Sequence, residues 1–176
     1  MPLRTVKGMD VRPTTDRTKE TLFNILMPYI PNGRFLDLFA GTGAIGIEAL
    51  SRGAACAFFV EKARAHQELI LENLDFTRLA ENATLIRGDV LQVLPRLSRE
   101  EPFDVIFLDP PFEKDLELPT LAGIVTQKLL APDGVIVVES SPKTDLSGAA
   151  DLGLTAVKER VYSKSRHTFF KPTMEK

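Results

Sequence analysis

The chain of 176 residues contains one cysteine, two histidines and no hydrophobic run long enough to cross a bilayer. A lone Cys56 excludes a disulfide framework and a thiolate metal cluster. His66 and His167 have no partner pattern for a metal site or a catalytic dyad. The N-terminus lacks the apolar segment of a signal peptide. These absences predict a cytoplasmic protein without a bound metal and without a membrane partner.

Repeats, low-complexity tracts and glycine- or serine-rich linkers are also lacking, which predicts a single domain. We assign this domain to residues 15–176 and treat residues 1–14 as a short N-terminal extension. The net charge of −2 argues against broad electrostatic adhesion to nucleic acid. Basic side chains are nevertheless concentrated near both ends of the chain: Arg4, Lys7, Arg12, Arg17, Lys19, Lys158, Arg160, Lys164, Arg166 and Lys171. The two interpretations are a local patch that contacts nucleic acid and ordinary surface charge.

Strand-like and helix-like segments alternate along the chain. Apolar strand-like runs cover residues 35–39, 55–60, 83–86, 103–108 and 135–138, and helical segments cover 44–50, 64–79, 90–97 and 118–130. This alternation predicts an α/β fold with a mostly parallel sheet and helices on both faces. A helix over 15–30 comes first, and segments 154–162 and 166–171 form a hairpin that closes the sheet edge.

Four carboxylates fall in or at the ends of successive predicted strands: Asp37 in the first, Glu61 at the end of the second, Asp89 just past the third and Asp109 at the end of the fourth. Because strand ends of one kind share an edge of a parallel sheet, and ligands bind at that edge, we expect these acids to face one cleft. A single acid at a strand end is common and does not indicate a function, but four in succession favour a binding site. A divalent cation in a phosphatase-like domain is an alternative, although such a site does not require a glycine-rich turn.

The turn Gly-Thr-Gly-Ala-Ile-Gly at 41–46 matches the dinucleotide fingerprint, and Glu61 lies where an NAD ribose ligand would lie. Asp37 would repel a pyrophosphate, however, and suits an ammonium or sulfonium group. The pattern therefore favours S-adenosylmethionine, with Asp37 near its methionine portion, Glu61 on the ribose hydroxyls and Asp89 on the adenine amine. The cofactor-binding candidates are Asp37, Phe39, Ala40, Gly41, Thr42, Gly43, Glu61, Lys62, Asp89 and Val90.

The fourth strand runs into Asp109-Pro110-Pro111-Phe112. The exocyclic amine of a nucleobase is a poor nucleophile until two acceptors hold its hydrogens and direct its lone pair. The Asp109 carboxylate and the Pro110 carbonyl suit this task, because the two prolines fix the backbone, and Phe112 can stack on the base. These four residues are the catalytic candidates for methyl transfer to an unstacked base. A strand stop followed by a core phenylalanine is the alternative.

Taken together, L-D-L-F-A-G-T-G, R-G-D-V and L-D-P-P-F resemble class I S-adenosylmethionine-dependent methyltransferases that modify exocyclic amines. More narrowly, R-P-T-T-D-R-T-K-E-T-L-F-N-I-L at 12–26, followed by L-D-L-F-A-G-T-G-A-I-G-I-E-A-L-S-R-G-A, resembles the bacterial 16S ribosomal RNA guanine-N2 methyltransferase family, known as RsmD. The resemblance implies a Rossmann-like, seven-stranded sheet with an antiparallel last strand. It also implies methylation of a guanine in small-subunit ribosomal RNA, either naked or in a partly assembled subunit.

Under this resemblance the extension at 1–14 contacts RNA. The substrate-binding candidates are Arg12, Thr14, Arg17, Lys164 and Arg166. Arg17 could instead pair with Glu20 or Glu61. Because Asp-Pro-Pro-Phe recognises an amine and not a particular base, an adenine-N6 or DNA methyltransferase is the alternative within the same chemistry. An NAD-dependent oxidoreductase and a noncatalytic nucleotide-binding module are the alternatives outside it. Nothing in the sequence demands more than a monomer.

Overall fold

The computed structural model describes residues 15–174. Its strands are β1 (Arg34–Leu38), β2 (Cys56–Glu61), β3 (Ala83–Arg87), β4 (Phe103–Leu108), β5 (Leu130–Ser140), β6 (Leu154–Val161) and β7 (Arg166–Pro172). Its α-helices are α1 (Asp16–Leu26), α2 (Ala44–Ser51), α3 (Arg64–Thr77), α4 (Val90–Leu97) and α5 (Glu117–Thr126). Short 3-10 turns lie at Met27–Tyr29, Ala80–Asn82 and Ser147–Leu152.

The seven strands form one sheet in the order β3-β2-β1-β4-β5-β7-β6. Neighbours among β1 to β5 are parallel, and β7 lies antiparallel between β5 and β6. The predicted mostly parallel, seven-stranded sheet with a C-terminal antiparallel hairpin is confirmed. The chain winds outward from β1 to β3 and then resumes on the other side at β4. The strand order therefore reverses between β1 and β4, where α/β sheets bind ligands beyond their strand ends.

Two apolar layers hold the helices against the sheet. Apolar side chains of α1, α2 and α3 fill the layer on one face, and those of α4 and α5 fill the other. Because successive strand residues alternate between faces, Phe35 of β1 joins the first layer and Leu36 joins the second. Phe23 of α1 stacks on Phe35 with ring centroids 6.4 Å apart. Burying each such side chain contributes about 1.5–3 kcal/mol.

Three helices end earlier in the structure than the sequence pattern predicts. The first ends at Leu26 and continues as the 3-10 turn Met27–Tyr29, because Pro28 has no N–H with which to continue the α-helical hydrogen bonds. The segment predicted over 64–79 ends at Thr77, because Arg78 adopts a left-handed conformation with φ of 61°. The segment over 118–130 ends at Thr126, and the chain enters β5 at Leu130, which pairs with Phe103 of β4.

Candidate active site

The turn after β1 has an unusual backbone. Phe39 has a φ of 60°, which is uncommon for a residue other than glycine, and Gly41 and Gly43 have φ values of 58° and 82°. A Cβ on Gly41 would meet no atom within 4 Å, so the left-handed conformation, and not crowding, calls for glycine at that position. Gly43 is the N-cap of α2. The turn thus reverses the chain directly above the end of β1.

Asp37 supports this turn from below. Its Oδ2 accepts a hydrogen bond of 3.0 Å from the backbone N–H of Gly46 in α2, and the residue is 1% exposed. Burial raises the pKa of Asp37 well above the ordinary carboxyl value; the N–H of Gly46 lowers it, and the negative charge of Glu61 raises it further. The side chain therefore couples β1 to the first turn of α2.

Glu61 ends β2, and its carboxylate is held by the backbone on two sides. Oε1 accepts from the N–H of Gly41 at 2.8 Å, and Oε2 accepts from the N–H of Ala63 at 3.0 Å. His66 Nδ1 lies 3.4 Å from the same Oε2, and Gln67 Nε2 donates to the Glu61 carbonyl at 2.9 Å. Because a carboxylate offers about four lone-pair sites, Glu61 retains the capacity to accept from a ligand while it positions the glycine turn.

Asp89 caps α4 at the end of the next strand. Its Oδ1 accepts from the N–H of Leu91 at 3.0 Å, and the residue is half-buried. Gly88 precedes it with a φ of 146° and donates its N–H to the Glu61 carbonyl at 3.1 Å. This bond fixes the loop after β3 beside the end of β2. Asp89 and Glu61 therefore stand at neighbouring strand ends.

Asp109 to Phe112 leave β4 at the same edge of the sheet. Leu108, the last residue of β4, pairs with Leu38 of β1 and with Val138 of β5. Asp109 therefore emerges between the ends of β1 and β5. Pro110 is buried and Pro111 is exposed, whereas Asp109 and Phe112 are half-buried.

A cleft of about 460 Å³ runs along these strand ends, within the range of about 300–1,000 Å³ of ligand pockets. All four catalytic candidates line it, and so do six of the cofactor-binding candidates: Asp109, Pro110, Pro111, Phe112, Phe39, Gly41, Glu61, Lys62, Asp89 and Val90. The structure thus brings the second, third and fourth strand-end acids to one cleft.

The other candidates lie elsewhere. Asp37, Ala40, Thr42 and Gly43 form the base of the turn and are not among the lining residues; the carbonyl of Thr42, for example, accepts from Asn73 Nδ2 at 3.0 Å. The substrate-binding candidates are also outside the lining. Arg17 lies in the first turn of α1, Lys164 in the β6–β7 turn and Arg166 in β7, while Arg12 and Thr14 are outside the described residues.

Arg166 already has several partners. Its Nη2 donates to the Thr144 carbonyl at 2.7 Å and to Ser140 Oγ at 3.2 Å, and its Nη1 donates to the Pro142 carbonyl at 3.4 Å. These bonds tie β7 to the loop that follows β5. Its predicted contact with RNA stays a prediction.

Sequence reasoning missed three polar lining residues: His66, Lys114 and Glu139. Glu139 could have been found, because it is a further acid near the end of an apolar strand, in Val-Val-Glu-Ser. His66 shows no metal or dyad pattern in the sequence, and in the structure its Nε2 is buried without a hydrogen-bond partner among residues 15–174. Only the folded positions of α3 and of the loop after β4 bring His66 and Lys114 to the cleft.

The donor set fits S-adenosylmethionine better than a metal ion or a diphosphate. Among residues 15–174, no group of three or more His, Cys, Asp or Glu side chains is arranged to hold a metal ion. The lining acids Glu61 and Asp89 are acceptors, which match hydroxyl and amine donors and repel phosphate. His66 also lines the cleft, where its Nδ1 lies 3.4 Å from Oε2 of Glu61.

The family model described as conserved hypothetical protein 95 matches residues 1–171. Ribosomal RNA small subunit methyltransferase D of Escherichia coli K12 is 40% identical over 136 residues, which cover 77% of this chain and 67% of that protein. The chain belongs to the family of ribosomal RNA small subunit methyltransferase D. The resemblance to RsmD noted in the sequence is therefore confirmed.

Solved structures share the fold of this chain. A hypothetical protein of Thermus thermophilus superposes with a TM-score of 0.82 and 30% identity, covering 97% of this chain and 93% of that one. A chain solved in complex with SAH superposes with a TM-score of 0.69 and 19% identity, covering 87% of this chain and 49% of its own, which shows a shared fold. The predicted Rossmann-like methyltransferase fold is confirmed. Within residues 15–174, no helix combines the length and apolar character that a membrane span requires.

Proposed function

We propose that this protein transfers a methyl group from S-adenosylmethionine to the exocyclic N2 amine of a guanine in small-subunit ribosomal RNA. The observation that carries the proposal is the cleft itself, which joins two acceptor carboxylates, Glu61 and Asp89, to the Asp109–Phe112 segment. The named activity of the Escherichia coli relative supports the reaction and the class of RNA. A ribosomal RNA substrate is consistent with action in the cytoplasm, and we propose that the protein acts there as a monomer.

Cofactor binding is assigned to the part of the cleft above β2 and β3. Glu61 accepts from the ribose hydroxyls while its bonds to Gly41 and Ala63 keep the carboxylate in place. Asp89 accepts from the adenine amine, and Val90 supplies apolar surface. Asp37 positions the turn through Gly46. When bound, S-adenosylmethionine supplies a methyl group activated by a sulfonium leaving group.

The amine is assigned to the part of the cleft beside Asp109. The carboxylate of Asp109 and the carbonyl of Pro110 accept the two amine hydrogens, so the nitrogen lone pair points away from both acceptors. Phe112 offers an aromatic surface on which the base stacks, an interaction worth about 1–3 kcal/mol. Positioning of this kind supplies up to roughly 7–11 kcal/mol of barrier reduction. A strong general base is then unnecessary, because the proton leaves after the new bond forms.

The substrate must present its guanine outside a base stack. A base inside an A-form helix cannot reach a cleft at strand ends, so looped or single-stranded RNA is favoured, alone or in a partly assembled small subunit. The basic residues Arg12, Arg17, Lys164 and Arg166, with Thr14, are assigned to RNA contacts, and we propose that the N-terminal segment 1–14 also contacts the RNA. Lys114 adds a positive charge at the cleft itself.

The proposal is tested by incubating the protein with isotope-labelled S-adenosylmethionine and small-subunit ribosomal RNA, free and in assembly intermediates, and by mass analysis of the digested nucleosides. Label in N2-methylguanosine is expected. Label in N6-methyladenosine, or in DNA only, would overturn the assignment of the base or of the substrate. Binding of NADH without binding of S-adenosylhomocysteine would overturn the cofactor.

Asp109→Ala isolates the transfer step in the same assay. We expect S-adenosylhomocysteine affinity to persist in calorimetry while methyl transfer falls by about 100-fold or more, the scale on which mispositioning acts. Asp75→Ala, an exposed acid on α3, is the matched control and should transfer at the wild-type rate. Undiminished transfer by the Asp109 variant would contradict the mechanism.

A further inference from the structure

Glu139 gives the cleft an acid that the mechanism above does not use. It lies in β5, one residue beyond Val138, which pairs with Leu108 of β4. Asp109 directly follows Leu108 at the end of β4, so the parallel register places Glu139 next to the point where Asp109 leaves the sheet; neighbouring strands are about 4.8 Å apart. Its side chain is 8% exposed and lines the cleft. A nearly buried carboxylate thus adjoins the proposed amine position.

His167 holds this carboxylate in one orientation. The two residues lie directly opposite each other in the β5–β7 pair, and His167 Nε2 is 2.6 Å from Glu139 Oε1. The ring is fully buried and is packed edge-on against Phe107 and Tyr162, with centroids 6.1 Å and 5.5 Å away. Because Oε1 is engaged by His167, Oε2 is the oxygen left to accept a donor in the cleft.

The surroundings of His167 argue for recognition and against proton relay. A relay would have to pass a proton from the ring to solvent, yet Nδ1 is buried and has no hydrogen-bond partner among residues 15–174. Amine methylation also releases its proton after bond formation, when water can take it. The pair is therefore suited to hold an acceptor oxygen at one point of the cleft.

Guanine and adenine differ at the ring atom next to the exocyclic amine. Guanine has a donor, N1–H, beside its N2 amine, whereas adenine has an acceptor, the N1 lone pair, beside its N6 amine. A carboxylate beside the amine slot would accept from guanine and repel adenine. Asp109 and Pro110 recognise an amine in either base, so this neighbouring position is where the two can be told apart.

We propose that Glu139, held by His167, accepts the N1–H of the target guanine and selects guanine over adenine. The inference rests on the proposed function, because it concerns the same cleft and the same amine. Glu139 is a specificity-determining residue that touches substrate, and His167 is a positioning residue that acts through it.

The test uses two RNAs that differ only at the target guanine, which nucleoside mapping locates. One carries guanine and the other carries 2-aminopurine, which keeps the N2 amine, replaces N1–H with a lone pair and lacks O6; the Glu139 variant below separates the N1 contact from the loss of O6. The wild-type protein should show a kcat/KM for guanine about 10- to 100-fold above that for 2-aminopurine, the usual scale of one base contact. Equal rates on both RNAs would overturn the inference while leaving the proposed function standing.

Glu139→Gln then assigns the discrimination to this residue. The amide N–H of the glutamine can donate to N1 of 2-aminopurine. The imidazole of His167 can still form a hydrogen bond with the glutamine side chain, so the fold is retained. The variant should narrow or reverse the guanine preference while its S-adenosylhomocysteine affinity stays unchanged. An unaltered preference would contradict the role of Glu139. A wild-type protein that methylates neither RNA would overturn the proposed function as well.

His167→Gln tests the positioning role. Glutamine keeps a donor toward Glu139 Oε1 without the fixed ring, whereas His167→Phe removes the donor altogether. The guanine preference should fall further in the phenylalanine variant than in the glutamine variant, with cofactor affinity preserved in both. An equal preference in both variants and in the wild-type protein would overturn the role of His167, since a purely structural role would change stability alone.

Discussion

Replacing Glu61 with glutamine removes one acceptor from the carboxylate that joins the glycine turn to β2. In the folded protein Oε1 and Oε2 accept from the N–H groups of Gly41 and Ala63 at 2.8 Å and 3.0 Å. The amide nitrogen of glutamine must therefore face one of these donors. One buried N–H loses its partner, which costs about 1–3 kcal/mol of unfolding free energy.

The same change weakens cofactor binding. We assign both ribose hydroxyls to Glu61, and glutamine can still accept from one of them. The loss is then about one hydrogen bond to a charged group, or about 1.5–3 kcal/mol, which corresponds to roughly a 10- to 150-fold increase in Kd. Calorimetric titration with S-adenosylhomocysteine, well below the Tm of the variant, measures it.

Glu68→Gln is the matched control, because this acid lies on α3 with a side chain that is 65% exposed and forms an ion pair of 3.4 Å with the exposed Arg64. Surface pairs of this kind contribute about 0–1 kcal/mol, so affinity and Tm should match the wild-type protein. A Glu61→Gln variant whose Kd rises by less than about threefold, or about 0.65 kcal/mol, would refute the placement of the ribose.

Two further variants test the support beneath the turn. Asp37→Asn should raise the unfolding free energy at neutral pH, because burial raises the pKa of Asp37 and the fold opposes its ionisation. That gain should shrink as pH falls through the raised pKa; urea titrations measure it, and a less stable variant at neutral pH would contradict it. Gly46→Ala places a Cβ 2.4 Å from Cε2 of Phe59 and should cost about 1–3 kcal/mol. Adding Phe59→Leu should recover part of this loss, whereas additive losses would contradict the contact.

Much of the fold follows from local sequence patterns. The predicted strand over 103–108 and the helix over 90–97 match β4 and α4 in both bounds, because buried strands and amphipathic helices differ in hydrophobic period. Sequence periodicity does not fix strand order. The insertion of β7 between β5 and β6 is therefore a tertiary outcome, which the family resemblance implied only as an antiparallel last strand.

The site was predictable to the extent that it depends on strand ends. Glu61, Asp89 and Asp109 meet at one cleft because parallel strands place their ends together. Asp37 differs, since it lies one residue inside β1 and its side chain turns to the N–H of Gly46. The direction of the Asp37 side chain depends on the face of the sheet to which it belongs, and its distance from the strand end does not reveal that face. The pairing of Glu139 with His167 was not predictable in this way, because the two residues are 28 positions apart and meet only through the β5–β7 pairing.

A crystal structure of the protein soaked with S-adenosylmethionine tests the central claim most directly. We expect the ribose hydroxyls to contact Glu61, the adenine amine to contact Asp89 and the methyl group to point toward Asp109 and Pro110. Ligand density away from these strand ends, or the diphosphate of NADH on the glycine turn in a parallel soak, would contradict it.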